Sequence, residues 1–356
     1  MKKLFSLGLA VAMTASLLAG CGSSASTPNG EVNVLNWGEY ISAGEDGAMD
    51  VIAEFEAQTG IKVNYKVCPD NETLYSNLKG GGADYDVIIP SDYMISRLIA
   101  EDMLETLNFD NIPNAADVDP TFLNPEYDPD NAYSVPYMWG TVGIIYNTTM
   151  ITDPVTSWSS LFDKANAGQV LMINNSRDAI GLALKYLGYS YNTTDEAQIT
   201  QAVDLLIQQK KDGIVQAYVM DEIFDKLEGG EAAMGVYYAG DYLTMKENNP
   251  DLAFAVPSEG SNIFTDAMCI PKGASNKDNA EKFINFMCSK DVGLANCEAI
   301  GYSTPLMSVK TALPAEVTAD PVAYPSAEVL ANCEAFINLP QETLQFYDSE
   351  WLRLKT

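Results

Sequence analysis

Short β-rich runs alternate with amphipathic helical segments through most of this chain, and that alternation restricts the fold more than any other feature. Residues 32–35 read as a strand, and a helix follows with apolar positions at Met49, Ile52, Ala53 and Phe55 that stops at Gly60. The next strand is expected over 61–67. Asn71 is the expected cap of a helix running through Tyr75 and Leu78, and Gly80, Gly81 and Gly82 break it before a buried strand over 87–90. A further helix is expected over 91–101. Strand-then-helix order of this kind predicts α/β layers with largely parallel sheets.

A middle segment rich in turn residues, 108–131, interrupts the pattern. It resumes with a strand over 170–173, helices over 176–187 and 195–211, and strands over 234–238, 254–256 and 263–270. Helical spacing returns over 276–289 and in a short helix from Asp291, before the turn 301–305; the last fifty residues read as helix and loop. At 356 residues and 47% hydrophobic content, roughly two domains with filled cores are expected.

The first twenty residues read as an export signal: Lys2 and Lys3, an apolar run over 4–18 too short to span a membrane comfortably, then small residues. Leu18-Ala19-Gly20-Cys21 resembles a bacterial lipobox, which makes Cys21 the expected lipidation site and residues 21–30 a flexible tether. The expected location is therefore extracytoplasmic, anchored to the membrane by lipid.

The formal net charge of −29 grows more negative once Lys2 and Lys3 are removed, so nucleic acid and anionic lipid surfaces are poor partners. Such a field concentrates cations, although solubility alone also accounts for it. Histidine is absent, which excludes Ser-His-Asp and Cys-His catalysis and imidazole metal sites. Beyond Cys21 the cysteines are Cys68, Cys269, Cys288, Cys297 and Cys333, an odd number without a Cys-x-x-Cys pair, expected to be buried thiols rather than disulfides or zinc ligands.

Residues able to hold a ligand gather where strands end, the place at which open α/β sheets bind theirs. Asn36-Trp37-Gly38-Glu39-Tyr40 leaves the first strand with two aromatics around one carboxylate. Ser91-Asp92-Tyr93, Tyr237-Tyr238 and Phe264-Thr265-Asp266 repeat the grouping, and Asn175-Ser176-Arg177-Asp178 opens a helix, where an acid also serves the helix dipole. Aromatic faces and carboxylates suit an ammonium with a methylene body: about 0.5–2 kcal/mol from a face and on the order of 4 kcal/mol from a carboxylate at ~4 Å and an effective dielectric near ~20.

Those segments, together with Ile89-Pro90-Ser91-Asp92-Tyr93, Ser134-Val135-Pro136-Tyr137-Met138-Trp139-Gly140 and Ile300-Gly301-Tyr302-Ser303-Thr304-Pro305, resemble the spermidine/putrescine-binding proteins of bacterial ABC importers over nearly the whole chain beyond the signal. The resemblance implies a two-lobed periplasmic-binding-protein fold that closes on its ligand across hinge crossings. It implies no catalysis and no cofactor. The partners it implies are a polyamine, importer permease subunits and, through the anchor, the membrane, for a chain expected to be a monomer. Lobe one is expected from 31–139 and 267–310, lobe two from 140–266 and 311–356.

Carried over by position, the resemblance makes Trp37, Tyr40, Tyr93, Tyr238, Phe264 and Tyr302 the aromatic walls and Ser91 a hydrogen-bonding residue. It makes Asp266 the partner of an inner amine, and Glu39 and Asp178 the partners of terminal nitrogens. Asn175 stands where the family often has a carboxylate, Tyr238 and Phe264 where tryptophans are common, and Phe336 or a neighbour where it has a glutamine. Putrescine is thus as plausible a ligand as spermidine.

Other readings fit less well. Another cationic solute remains open. A ferric-iron carrier would use Tyr237-Tyr238, yet consecutive strand residues face opposite ways. A calcium loop at Asp128-Pro129-Asp130 lacks the glycine and distant glutamate such loops need. A surface glycosidase needs only two carboxylates about 5–9.5 Å apart, which 49 acids supply by chance, but no hydrolase motif accompanies them.

Overall fold

The computed structural model describes residues 29–81 and 84–356. The signal, Cys21, most of the tether and Gly82 lie outside the described residues. Nine strands form one sheet: β1 (Glu31–Asn36), β2 (Lys62–Val67), β3 (Val87–Ile88), β4 (Ser134–Asn147), β5 (Val170–Ile173), β6 (Val215–Val219), β7 (Met234–Tyr238), β8 (Leu252–Ala255) and β9 (Ile263–Cys269). Their order is β2-β1-β3-β9-β4-β7-β5-β6, with β8 also on β4.

The expectation of largely parallel pairing needs correction. β1 runs parallel to β2 and β3, and β5 to β6 and β7. Every pairing made by β4 and β9 is antiparallel. The cause is β4 itself, a 14-residue strand through Pro136, Gly140 and Gly143, residues that lower strand propensity and concealed its length. Its first part pairs with β9 from Ser134 to Thr141, through a register shift at Pro136, and its second part, from Val142, pairs with β7 and β8. Two parallel half-sheets are thereby joined through one continuous strand. Trp139 also bridges to Ser303, and Asn262 to Glu334, so two further chain segments meet the same junction.

Helices cover each half. Val51–Thr59 starts at Asp50, whose side chain accepts the Ala53 N–H, and stops at Gly60 in the left-handed region (φ 68°). Lys277–Met287 packs on β1, and Phe283 meets Phe55 edge to face at 5.2 Å. On the other half, Ser176–Tyr186, Glu196–Lys211 and the C-terminal helix Gln341–Lys355 pack together. Tyr191 fits against the first of these because Gly181 lacks a side chain; a Cβ there would stand 2.3 Å from its ring. Three helical elements went unread in the sequence or were placed differently: Ile223–Glu228 and Ala239–Asn248 were not anticipated, and the cap of Asn71–Lys79 is Asp70, not Asn71.

The 108–131 segment forms short 3-10 turns, and Asp128 holds its end. Buried to 1% exposure, this carboxylate accepts the N–H groups of Ala132, Tyr133 and Ser134 at 3.0 Å and the Ser134 hydroxyl at 2.8 Å, fixing the entry into β4. Asp128→Ala orphans these donors and is expected to lower unfolding free energy by about 2–4 kcal/mol. Urea unfolding should give the same loss with calcium or a chelator present; a loss confined to calcium-containing buffer would make the segment a metal loop instead.

Candidate functional site

A cavity of about 80 Å³ lies at the junction of the half-sheets. At about 10–15 Å³ per water-sized occupant, that is room for roughly five to eight. Ten of the expected ligand residues line it: Trp37, Tyr40, Ser91, Tyr93, Asn175, Asp178, Tyr238, Phe264, Asp266 and Tyr302. Glu39 does not. It sits exposed in a left-handed turn (φ 46°) that aims its neighbours Trp37 and Tyr40 inward and its own carboxylate outward.

The turn after β1 is held from beneath, because the Tyr40 carbonyl accepts the Tyr137 hydroxyl at 2.8 Å and the Asn36 amide at 3.2 Å. Tyr40 stands edge-on to Tyr302 at 4.7 Å and donates its hydroxyl to Asp266 Oδ2 at 2.8 Å. Asp266, in β9, is 4% exposed, and its Oδ1 has no protein partner. Burial pushes its carboxyl up to about 6. Asp178 sits in the first turn of its helix, and its oxygens meet the Tyr238 hydroxyl and the Asn262 amide only at 3.4 Å; burial pushes it up to about 7.

The cavity also holds residues that sequence reasoning passed over. Asp241 opens the helix after β7, accepts the Tyr302 hydroxyl at 2.8 Å, and is held well above the carboxylate range by burial and then by the charges of Asp221 and Glu39. Asp221 accepts the Tyr237 hydroxyl at 2.8 Å and presses on Gly38, where a Cβ would stand 2.3 Å from Oδ2. Asp70 and Asn71 belong to the wall as well. The Asn71 side chain, freed from capping, exchanges hydrogen bonds with Ser91 at 3.0 and 3.1 Å. The Tyr238-Ala239-Gly240-Asp241 run was the available signal: Gly240 lets the Tyr302 ring pack where a Cβ would stand 2.1 Å away.

Tyr237 and Tyr238 both line the cavity, contrary to the alternation expected of a strand, because the strand ends there and a helix begins at Ala239. Their phenols are pushed up by burial and nearby carboxylates and donate to Asp221 and Asp178, so they act as donors, not as phenolate metal ligands. Among the described residues no group of three or more His, Cys, Asp or Glu side chains is placed to hold a metal ion. Asn175 lines the wall, but its Oδ1 is occupied by the N–H groups of Arg177 and Asp178 at 2.9 and 3.3 Å. Phe336 completes the wall at 5% exposure.

Five aspartates and eight aromatic rings face this space, and among the described residues no lysine or arginine lines it. The arrangement attracts a small organic cation and offers its methylene body aromatic faces.

Residues 50–325 match the model of the bacterial extracellular solute-binding protein family. The chain is 35% identical over 330 residues to spermidine/putrescine-binding periplasmic protein 1 of Haemophilus influenzae, covering 92% of this chain and 89% of that protein. It is 34% identical over 322 residues to the spermidine/putrescine-binding periplasmic protein of Escherichia coli, covering 89% and 90%. A solved structure of a putative spermidine/putrescine ABC transporter from Listeria monocytogenes superposes with a TM-score of 0.87 at 38% identity, over 92% of this chain and 99% of that one.

The raised carboxyls make stability depend on pH. Asp266, Asp178 and Asp92, the last pushed by burial to about 8, bind protons more tightly folded than at the unfolded value near ~3.9. Their stabilising contribution is complete below about pH 4 and is lost as pH rises through about 6–8. At about 1.4 kcal/mol per pH unit, Asp266 alone accounts for on the order of 3 kcal/mol. Ligand-free Asp266→Asn is therefore expected to unfold at higher urea than the parent at pH 8, by about 1–3 kcal/mol, and to match it at pH 4. A variant less stable than the parent at pH 8 would contradict this account.

Proposed function

The chain belongs to the bacterial extracellular solute-binding proteins, and from that membership we propose that it captures a polyamine, putrescine or spermidine, and delivers it to an ABC importer. It is a binding protein, not an enzyme, with the two-lobed periplasmic-binding-protein fold. The observation that carries the polyamine reading is Asp266: one oxygen held by Tyr40, the other buried, unpartnered and lined by aromatic rings. An ammonium there gains a charge-assisted hydrogen bond worth about 1.5–3 kcal/mol and ionises a carboxyl that burial otherwise keeps partly protonated.

In this reading Asp178 and Asp241 serve other ligand nitrogens, Trp37, Tyr40, Tyr93, Tyr238, Phe264 and Tyr302 enclose the methylenes, and Ser91 and Asn175 complete the wall. Glu39 acts on the site only through its field on Asp241. Lobe one comprises 31–139 and 267–310, lobe two 140–266 and 311–356. The switch of β4 from β9 to β7 and β8 beyond Thr141 supports the first boundary. The protein works as a monomer outside the cytoplasmic membrane, exported by residues 1–20 and held through acylated Cys21 and the tether 21–30. No helix among the described residues is long and apolar enough to cross a membrane.

Calorimetric titration of protein stripped of ligand by unfolding and refolding is expected to show one-to-one binding of putrescine or spermidine, and none of lysine or arginine. Asp266→Ala should weaken polyamine binding at least tenfold, the lower end of a lost charge-assisted hydrogen bond. Folded protein that binds no polyamine sinks the proposal. For the anchor, metabolic labelling with an alkyne fatty acid should mark the full-length chain and spare Cys21→Ala; equal labelling of both would place the acyl group elsewhere or nowhere.

A further inference from the structure

Arg177 is a cation in an unfavourable place. It stands in the first turn of the helix Ser176–Tyr186, where the helix dipole opposes positive charge, and it is only 2% exposed. Its terminal nitrogens reach the Ile337 carbonyl and Asn192 Oδ1 only at 3.4 Å, its Nε has no hydrogen-bond partner, and among the described residues it enters no ion pair. Asp178, its neighbour in that turn, feels its charge but gives its hydrogen bonds elsewhere. A cation buried on those terms needs compensation from another part of the chain.

The compensation comes from the helices that begin at Asn71 and Asp92. The Tyr93 ring centroid stands 4.9 Å from the guanidinium, which also meets Phe336 at 4.5 Å and Tyr347 at 5.7 Å. The Tyr93 hydroxyl in turn donates to Glu72 Oε1 at 2.9 Å. A phenol that donates to a carboxylate gains electron density in its ring and holds a cation over its face more strongly. Acid, phenol and guanidinium thus form one chain of contacts, and neither Glu72 nor Arg177 lines the cavity. Burial raises the Glu72 carboxyl, while the Tyr93 hydroxyl and the Arg177 charge draw it back; the same charge opposes the rise that burial gives Asp92. The polarity recurs in reverse nearby, where Arg97, in the helix of Tyr93, opposes the rise that partial burial gives Asp348, beside Tyr347.

On the lobe division proposed above, Glu72, Tyr93 and Arg97 belong to lobe one, and Arg177, Phe336, Tyr347 and Asp348 to lobe two. We propose that Arg177 and Glu72 are positioning residues of a clasp between the lobes, which acts through Tyr93 and sets how long an enclosed ligand is held without either residue touching it. This rests on the polyamine reading and on that lobe division. When the lobes part, the guanidinium stays with lobe two and loses the Tyr93 face and the field of Glu72 and Asp92. A guanidinium is weakly hydrated for a cation, so the water it regains on opening returns little of that loss. The clasp therefore slows escape and leaves encounter unchanged.

The test is stopped-flow tryptophan fluorescence with putrescine and with spermidine on stripped protein. Arg177→Met, which removes the cation, and Glu72→Gln, which removes the acid and keeps an acceptor for Tyr93, should each speed dissociation at least about fivefold, roughly the loss of one cation–ring contact, with association within about twofold of the parent. The double variant should dissociate no more than about twofold faster than the faster single variant, because either change breaks the same chain of contacts. Two single variants are used so that one misfolded protein does not decide the matter, with folding checked by circular dichroism. Dissociation unmoved in the folded single variants, fully multiplicative effects in the double variant, or a change confined to association overturns the clasp and leaves the polyamine reading standing. Binding of no amine by the folded parent overturns the polyamine reading, and this inference with it.

Discussion

The structure turns on buried carboxylates that form no ion pair with a protein cation among the described residues. Desolvating an acid in this way costs free energy that folding alone does not return, and the protein limits the cost with phenols. Tyr40 donates to Asp266, Tyr302 to Asp241, Tyr237 to Asp221, Tyr238 to Asp178 and Tyr93 to Glu72. A phenol stabilises the acid by one hydrogen bond and carries no charge to compete with an incoming ammonium, as a lysine would. Burial raises these phenols well above their ordinary value, so they stay protonated and remain donors. For Asp266 the division is explicit, with one oxygen bonded to Tyr40 and the other unpartnered.

Holding those pairs in register falls to β4 and β9. Asp266 lies opposite Met138, and Phe264 opposite Gly140, whose missing side chain leaves room for the ring. Because β4 continues into the pairing with β7, it also fixes Tyr238 opposite Val142. One strand therefore sets the spacing between acids that come from opposite halves of the sheet, and the buried Asp128 fixes where that strand begins.

Much of this was legible in the sequence because strand ends and helix starts carry local signals. Gly60 and the 234–238 strand follow from glycine and strand patterns, and the ends of β1 and β7 mark Tyr40 and Tyr238 as ligand candidates, which the resemblance assigns to one site. Glu39 was expected at the ligand from its place after a strand and from the resemblance, and the structure puts it exposed in a left-handed turn at φ 46°, outside the cavity wall. Asn71 was taken for a cap when Asp70, one residue earlier, accepts the Thr73 N–H. The antiparallel centre was hidden in Pro136, Gly140 and Gly143, which look like breakers locally and are tolerated only because β9 and β8 pair around them. Arg177 read as an ordinary first-turn residue of a helix, and Asp241 went unread with its helix; that one backs an aromatic wall and the other faces the cavity depends on long-range packing that no local pattern encodes.

Gly38 shows how the two sides of the cavity depend on one another. It follows β1, in the half that carries Tyr40, whereas Asp221 follows β6 in the other half, and a single Cβ would close the gap between them to 2.3 Å. Glycine thus lets the turn bearing Trp37 and Tyr40 approach the Asp221–Tyr237 pair. A bulkier residue would hold the halves apart there and admit water to Asp266 and Asp241. Water would then solvate the acids and weaken the low-dielectric attraction on which capture of a cation depends. Backbone economy at one glycine, phenolic donors and the uncompensated acids are parts of one arrangement: the closer the halves approach, the greater the cost of leaving the acids without a cation, and the stronger the hold on one once it is enclosed.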